Sequence, residues 1–175
     1  MFYVKLRCKN AILRVSDKEA GKNIPENMKL HNSLGIDIGS TTVKIAVLDS
    51  DNHILFADYE RHYANIQETL ALLLSRAKEK LGEMTVRASI TGSGGLTLSR
   101  HLNIPFTQEV VAVATALQAY APQTDVAIEL GGEDAKIIYF TGGIDQRMNG
   151  ICAGGTGSFI DQMASLLQTD ASGLN

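Results

Sequence analysis

Apolar and polar residues alternate from 34 to 49, LGIDIGSTTVKIAVLD, in two runs broken by a polar turn. Leu34, Ile36 and Ile38 fall on one side of an extended chain, and Val43, Ile45 and Val47 do the same. Alternation of this kind predicts two paired strands. A third strand is expected over 53–59. At 67–80 the period changes: Leu70, Leu73, Leu74 and Ala77 recur at helical spacing, and Gly82 follows as a stop. The pattern then predicts a strand over 86–91, a glycine turn at 92–95, and helices over 96–101 and 107–120. Strands follow over 125–130, 135–140 and 144–148. After a glycine run at 152–157, a helix over 159–167 puts Phe159, Met163, Leu166 and Leu167 on one face. Asp170 is placed to cap a further helix. Residues 2–15 read as a strand pair or a short helix, and 17–32 as a polar linker.

A block of three strands and a helix thus begins twice, about ninety residues apart, which is a duplicated domain rather than a solenoid. The second copy opens with ELGGEDAK, an echo of IDIGSTTVK, and stops after its first helix. The expected organisation is an N-terminal extension or linker (1–33), a first α/β subdomain (34–122) and the start of an incomplete second one (123–175). Composition narrows the function classes. With 45% hydrophobic and 20% charged residues, 175 residues suffice for one core or two small ones. A net charge of -3 gives no nucleic-acid or anionic-membrane signal, and no apolar run reaches membrane-spanning length. The two cysteines, Cys8 and Cys152, are too far apart in sequence to read as a disulfide framework, so a reducing cytoplasm is expected.

The candidate chemistry starts at the first turn. Gly39 has no Cβ, so a ligand can approach the backbone, and Ser40, Thr41 and Thr42 add hydroxyls and successive N–H donors that can form an anion nest. Asp37 lies just before the turn, where a bound phosphate would be unfavourable without an intervening cation; a Mg²⁺–phosphate site has that arrangement. An ordinary hairpin with a polar tip is the alternative, and it leaves an Asp inside an apolar strand unexplained. Lys44 shares a strand face with Thr42, aimed at phosphate oxygens or simply solvated.

Three stretches, GIDIGSTTVK, ELGGEDAK and MNGICAGGTGSF, carry a family likeness. The chain resembles the activator ATPases of 2-hydroxyacyl-CoA dehydratases and benzoyl-CoA reductases, within the actin, sugar-kinase and heat-shock ATPase superfamily. The likeness covers 34–175, and its third stretch is the discriminating one, because sugar kinases and heat-shock ATPases have no Cys at that glycine-rich helix entry. It implies a ribonuclease H-like, actin-like ATPase fold with the first copy complete and the second truncated. It also implies a cytoplasmic homodimer that binds ATP and Mg²⁺ and holds one [4Fe-4S] cluster across its two-fold axis. ATP hydrolysis would drive a low-potential electron to a CoA-ester dehydratase or reductase partner. Each subunit supplies two cysteines in that family; the first matches Cys152 and the second lies beyond Asn175.

On this reading Glu129, Gly131, Gly132, Glu133 and Asp134 form the second phosphate loop. Glu129 is a Mg²⁺ ligand and Glu133 orients, or takes a proton from, the attacking water, with Asp37 as the other catalytic carboxylate. The family pattern has Asp at the place of Glu129 and Gln at the place of Glu133, and a polar β-turn is the alternative for the stretch. Cys152 precedes a helix, where the dipole and free N–H groups stabilise a thiolate suited to iron; taken alone, it also reads as a small buried hydrophobe. Gly92, Gly94 and Gly95 line a nucleotide site or make a tight strand-to-helix turn. Two other functions fit the same residues: an acyl or sugar kinase of the superfamily, and a truncated module without catalysis. The chain alone is expected to be inactive.

Overall fold

The computed structural model describes residues 3–7, 12–16, 32–149 and 154–174. Cys8, Cys152 and all of the expected 17–32 linker except Asn32, which begins the first core strand, lie outside them. The chain divides into two compact units, Met1–Glu109 and Val110–Asn175.

The first unit is a six-stranded mixed sheet with helices. In chain order it holds β1 (Tyr3–Arg7), β2 (Ile12–Ser16), β3 (Asn32–Ile38), β4 (Thr42–Leu48), β5 (Ile54–Arg61), α1 (Ile66–Leu81), β6 (Thr85–Thr91) and α2 (Gly95–Leu102). The sheet order is β2-β1-β6-β3-β4-β5. β3, β4 and β5 form an antiparallel meander, and α1 carries the chain across so that β6 lies parallel to β3. A parallel neighbour requires a crossover of this kind. In the N-terminal segment, for which the pattern allows a strand pair or a helix, β1 and β2 pair antiparallel with each other and β1 pairs antiparallel with β6.

The core follows the alternation in the sequence. Leu34, Ile36, Ile38, Val43, Ile45 and Val47 are buried, together with Leu70, Leu73, Leu74 and Ala77 of α1 and Val86, Ala88 and Ile90 of β6. Arg76 pins α1 to β5, its two terminal nitrogens each 3.1 Å from Asp58 and Glu60 carboxylate oxygens. Those hydrogen bonds, Asp58 foremost, raise the Arg76 pKa further above its ordinary value.

The second unit holds all but the first residue of α3 (Glu109–Tyr120), then β7 (Val126–Leu130), β8 (Ala135–Tyr139), β9 (Asp145–Met148), α4 (Gly157–Leu166) and a short 3-10 helix (Ala171–Leu174). Its antiparallel sheet runs β7-β8-β9. Asp170 caps the 3-10 turn, its Oδ1 accepting from the Ser172 amide at 2.9 Å and the Gly173 amide at 3.3 Å. Leu34, Ile36, Ile38 and Ile45 of the first unit correspond to Val126, Ile128, Leu130 and Ile137 of the second, each 92 positions on (126 − 34 = 92). The first set is fully buried, whereas the second is exposed.

Leu73 is fully buried between α1 and the sheet. Leu73→Ala is expected to lower unfolding free energy by about 2–5 kcal/mol, from lost transfer energy and the cavity left behind. Urea denaturation followed by circular dichroism measures it.

Candidate functional site

The first turn is built around two backbone constraints. The Gly39 amide donates to the Thr42 carbonyl at 2.9 Å, closing the turn between β3 and β4. His62, buried just after β5, holds it from behind: its amide donates to the Thr41 carbonyl at 3.1 Å, and Nε2 lies 3.2 Å from the Gly39 carbonyl. The Ala64 amide donates to His62 Nδ1 at 3.0 Å. Nδ1 is therefore the acceptor, and Nε2 carries the proton that Gly39 receives. Three of the turn's carbonyls, those of Gly39, Thr41 and Thr42, are thus engaged.

Asp37 and Lys44 are direct partners across the hairpin, with Nζ 2.7 Å from Oδ2. The lysine side chain is about half exposed and the carboxylate about a third, so the pair can reorganise when a ligand arrives. Gly92, at φ +94°, follows β6. A Cβ there would run into the Ile38 carbonyl and Asp37 Oδ1. The Gly94 amide donates to the Ile38 carbonyl at 2.9 Å, docking the entry of α2 on the hairpin. Thr91, in register with Asp37, has a buried hydroxyl that makes no hydrogen bond among the described residues.

The second turn repeats this plan. Asp37 and Glu129, Gly39 and Gly131, Thr42 and Asp134, Lys44 and Lys136 are each 92 positions apart (129 − 37 = 92). Glu129 and Lys136 are again direct cross-strand partners. The Gly131 amide donates to the Asp134 carbonyl at 2.8 Å, the counterpart of the Gly39–Thr42 bond. Helix entry docks here too: the Gly157 and Ser158 amides donate to the Gly131 and Gly132 carbonyls at 2.8 and 3.1 Å. A Cβ on Gly131 would strike Asp134 Oδ1, so only glycine lets that carboxylate fold over the turn. Lys136 Nζ lies 3.7 Å from Glu129 Oε1 and 3.4 Å from Asp134 Oδ2, while Glu133 is exposed at the tip.

The expected site residues are therefore grouped by turn. Asp37, Gly39, Ser40, Thr41, Thr42 and Lys44 come together in the first unit, and Glu129, Gly131, Gly132, Glu133 and Asp134 in the second. Their donor set is hard oxygen with glycine-lined backbone, and the spare Thr91 hydroxyl adds polar capacity beside Asp37. That chemistry fits Mg²⁺ and phosphate. The described residues include no cysteine, so they offer a cluster no thiolate. Two residues were missed. Lys136 had a signal, since it stands after Glu129 as Lys44 stands after Asp37; His62 had none, because its role is a single contact to a distant carbonyl.

One other group of ligand-type residues, Asp49, Asp51 and His53, lies in the β4–β5 turn with its ligand atoms within 4.8 Å of one another. It is explained by turn geometry. Asp49 Oδ1 accepts the His53 and Asp51 amides, each at 2.9 Å, and these bonds, His53 first, lower the Asp49 pKa.

Gly92→Ala is expected to destabilise the first unit by more than about 1 kcal/mol, because the positive φ and the Ile38 carbonyl both oppose a side chain. Thermal unfolding of the variant beside Gly82→Ala, where φ is also positive but a Cβ would meet nothing within 4 Å, separates the clash from the backbone effect.

Comparison with known proteins matches this architecture. The (R)-2-hydroxyglutaryl-CoA dehydratase activating ATPase of Acidaminococcus fermentans is 29% identical over 147 residues, covering 81% of this chain and 56% of the relative. The crystal structure of (R)-2-hydroxyglutaryl-CoA dehydratase component A from that organism superposes with TM-score 0.65 at 27% identity, over 81% of this chain and 56% of that one. The activator of 2-hydroxyisocaproyl-CoA dehydratase from Clostridium difficile, solved with bound ADPNP, gives TM-score 0.63 at 26% identity, over 81% of this chain and 54% of that one. The activator of lactoyl-CoA dehydratase from Anaerotignum propionicum is 32% identical over 148 residues, 78% of this chain and 54% of the relative. The ethanolamine utilization protein EutJ shares the fold at 14% identity, with TM-score 0.57. This chain spans little more than half the length of the curated relatives it matches. The fold is the α/β type of the actin-like ATPases. A family model matches residues 34–174, and the chain belongs to the BadF/BadG/BcrA/BcrD ATPase family.

Proposed function

We propose that this chain is the phosphate-binding part of an ATPase that activates a CoA-ester dehydratase or reductase. The observation that carries the reading is the repeated hairpin: twice, a glycine turn is closed by the same backbone bond and flanked by a carboxylate and a lysine in register across two strands. Nucleotide hydrolysis asks for such parts, since it depends on cradling donors, a divalent cation and a group that orients water. The activator role is supported by relatives named as dehydratase activators, and ATP as the nucleotide by the family match and by the neighbour solved with ADPNP.

In this reading Gly39, Ser40, Thr41 and Thr42 offer backbone and hydroxyl donors to phosphate oxygens, and Gly131, Gly132 and Asp134 form the second turn. Asp37 in the first turn and Glu129 in the second are each a candidate Mg²⁺ ligand, and the cation when bound would neutralise phosphate charge. Lys44, now paired with Asp37, would be within reach of a phosphate oxygen were a cation to neutralise that carboxylate. Glu133, exposed at the tip, orients water. The boundaries 1–33, 34–122 and 123–175, the homodimer, the cytoplasmic location and electron transfer from a [4Fe-4S] cluster ligated by Cys152 belong to the same proposal. Among the described residues, no helix is long and apolar enough to cross a membrane.

In a polypeptide extended to the relatives' length, Asp37→Ala is expected to abolish Mg²⁺-dependent ATP hydrolysis; rates within about threefold of wild type, less than the tenfold that a 1.4 kcal/mol barrier change gives, would show the cation lies elsewhere. The 175-residue chain alone is expected to hold no stable four-iron cluster, since a cubane needs about four thiolates, a two-fold axis brings two copies of Cys152, and Cys8 belongs to no motif and precedes the polar linker. Anaerobic reconstitution with iron and sulfide counted per dimer measures this.

A further inference from the structure

The two hairpins share a plan but not a charge balance. The first has one carboxylate, Asp37, and one lysine, Lys44. The second has three carboxylates, Glu129, Glu133 and Asp134, and one lysine, Lys136. A phosphate approaching the second turn therefore meets excess negative charge, and repulsion at about 4 Å costs about 1 kcal/mol per pair even when screened as in water. The lysines also differ. Lys44 is 52% exposed and touches one carboxylate, whereas Lys136 is 8% exposed and faces two, Glu129 and Asp134. Burying an ammonium costs several kcal/mol unless it is paired, and an apolar residue at the same place would avoid the cost. Gly131 adds an independent sign of construction, because its missing Cβ is what lets Asp134 fold back over the turn while its other oxygen faces Lys136.

We propose that Lys136 is the positioning residue of the second loop, a fixed internal cation that holds Glu129 and Asp134 together and lowers the charge a nucleotide phosphate meets there. The inference rests on reading both turns as phosphate loops. It assigns different work to the two lysines: Lys44 is free to reach the ligand, while Lys136 stays buried and sets the field. Without its charge, the second loop should bind a divalent cation more tightly and accept a nucleotide only when that cation is present.

The test uses the whole chain, with the Gly131 and Gly132 amide resonances followed by ¹H–¹⁵N NMR, which reads weak binding. Mg²⁺ is titrated alone, and ADP at low and at saturating Mg²⁺. Lys136→Met should bind Mg²⁺ alone about fivefold more tightly or better, the size of one water-screened unit-charge interaction at about 4 Å. ADP affinity should fall by a similar factor at low Mg²⁺ and recover at saturating Mg²⁺. Lys136→Arg, which keeps the charge, should behave as wild type. A purely structural lysine would give losses that Mg²⁺ does not rescue, and that result, or an unchanged Mg²⁺ dependence in Lys136→Met, overturns the proposal. Should Lys136→Met fail to fold, Lys136→Gln, which keeps a long polar side chain but no charge, decides, because a Mg²⁺-rescued loss of ADP affinity supports the inference and an unchanged Mg²⁺ dependence overturns it. Wild-type chain whose resonances respond to neither Mg²⁺ nor ADP would overturn the phosphate-loop reading along with it.

Discussion

A carboxylate beside a candidate anion-binding turn asks for a positive charge close by, and this chain meets that condition through strand register. Because β3 and β4 pair with Asp37 directly opposite Lys44, the cation is delivered by the hairpin itself. The same register places Lys136 opposite Glu129. A slip of one residue would turn every side chain to the other face of the sheet, breaking both the ion pair and the burial of Ile36 and Ile45. Core packing and site chemistry are thus secured by one choice of register. The single backbone bond that closes each turn, Gly39 to Thr42 and Gly131 to Asp134, holds that choice in place.

Much of this was legible in the sequence because it is periodic. Alternation of Leu34, Ile36 and Ile38 located a buried face, and the helical spacing of Leu70, Leu73, Leu74 and Ala77 located what covers it. The turns were legible through their glycines and hydroxyls. Periodicity says which side of an element is apolar, not what lies against it: Phe159, Leu166 and Leu167 share the expected helix face, yet all three are exposed. It also says nothing of isolated polar contacts. His62 grips the Gly39 carbonyl across 23 residues of sequence, a relation that no local pattern encodes. For residues 2–15 the sequence allowed strand or helix, and pairing with β6, a long-range contact, decided it.

The repeat also clarifies what glycine does at these sites. At Gly92 the constraint is a left-handed backbone pressed against Ile38 and Asp37, and at Gly131 it is room for a folded-back carboxylate. Neither position is a flexible joint. Both are places where backbone or a charged group must come closer than a methyl group permits, so each glycine ties the chain path to the candidate chemistry rather than loosening it.

The exposed side of the second sheet carries a different implication. Val126, Ile128 and Leu130 stand along an outer strand whose far edge has no neighbour among the described strands, with Ile137 beside them. An uncovered apolar strand at a sheet margin is a template for intermolecular pairing, and a net charge of only -3 provides little repulsion to oppose it. Protein concentration should therefore govern how long this polypeptide remains dispersed in water.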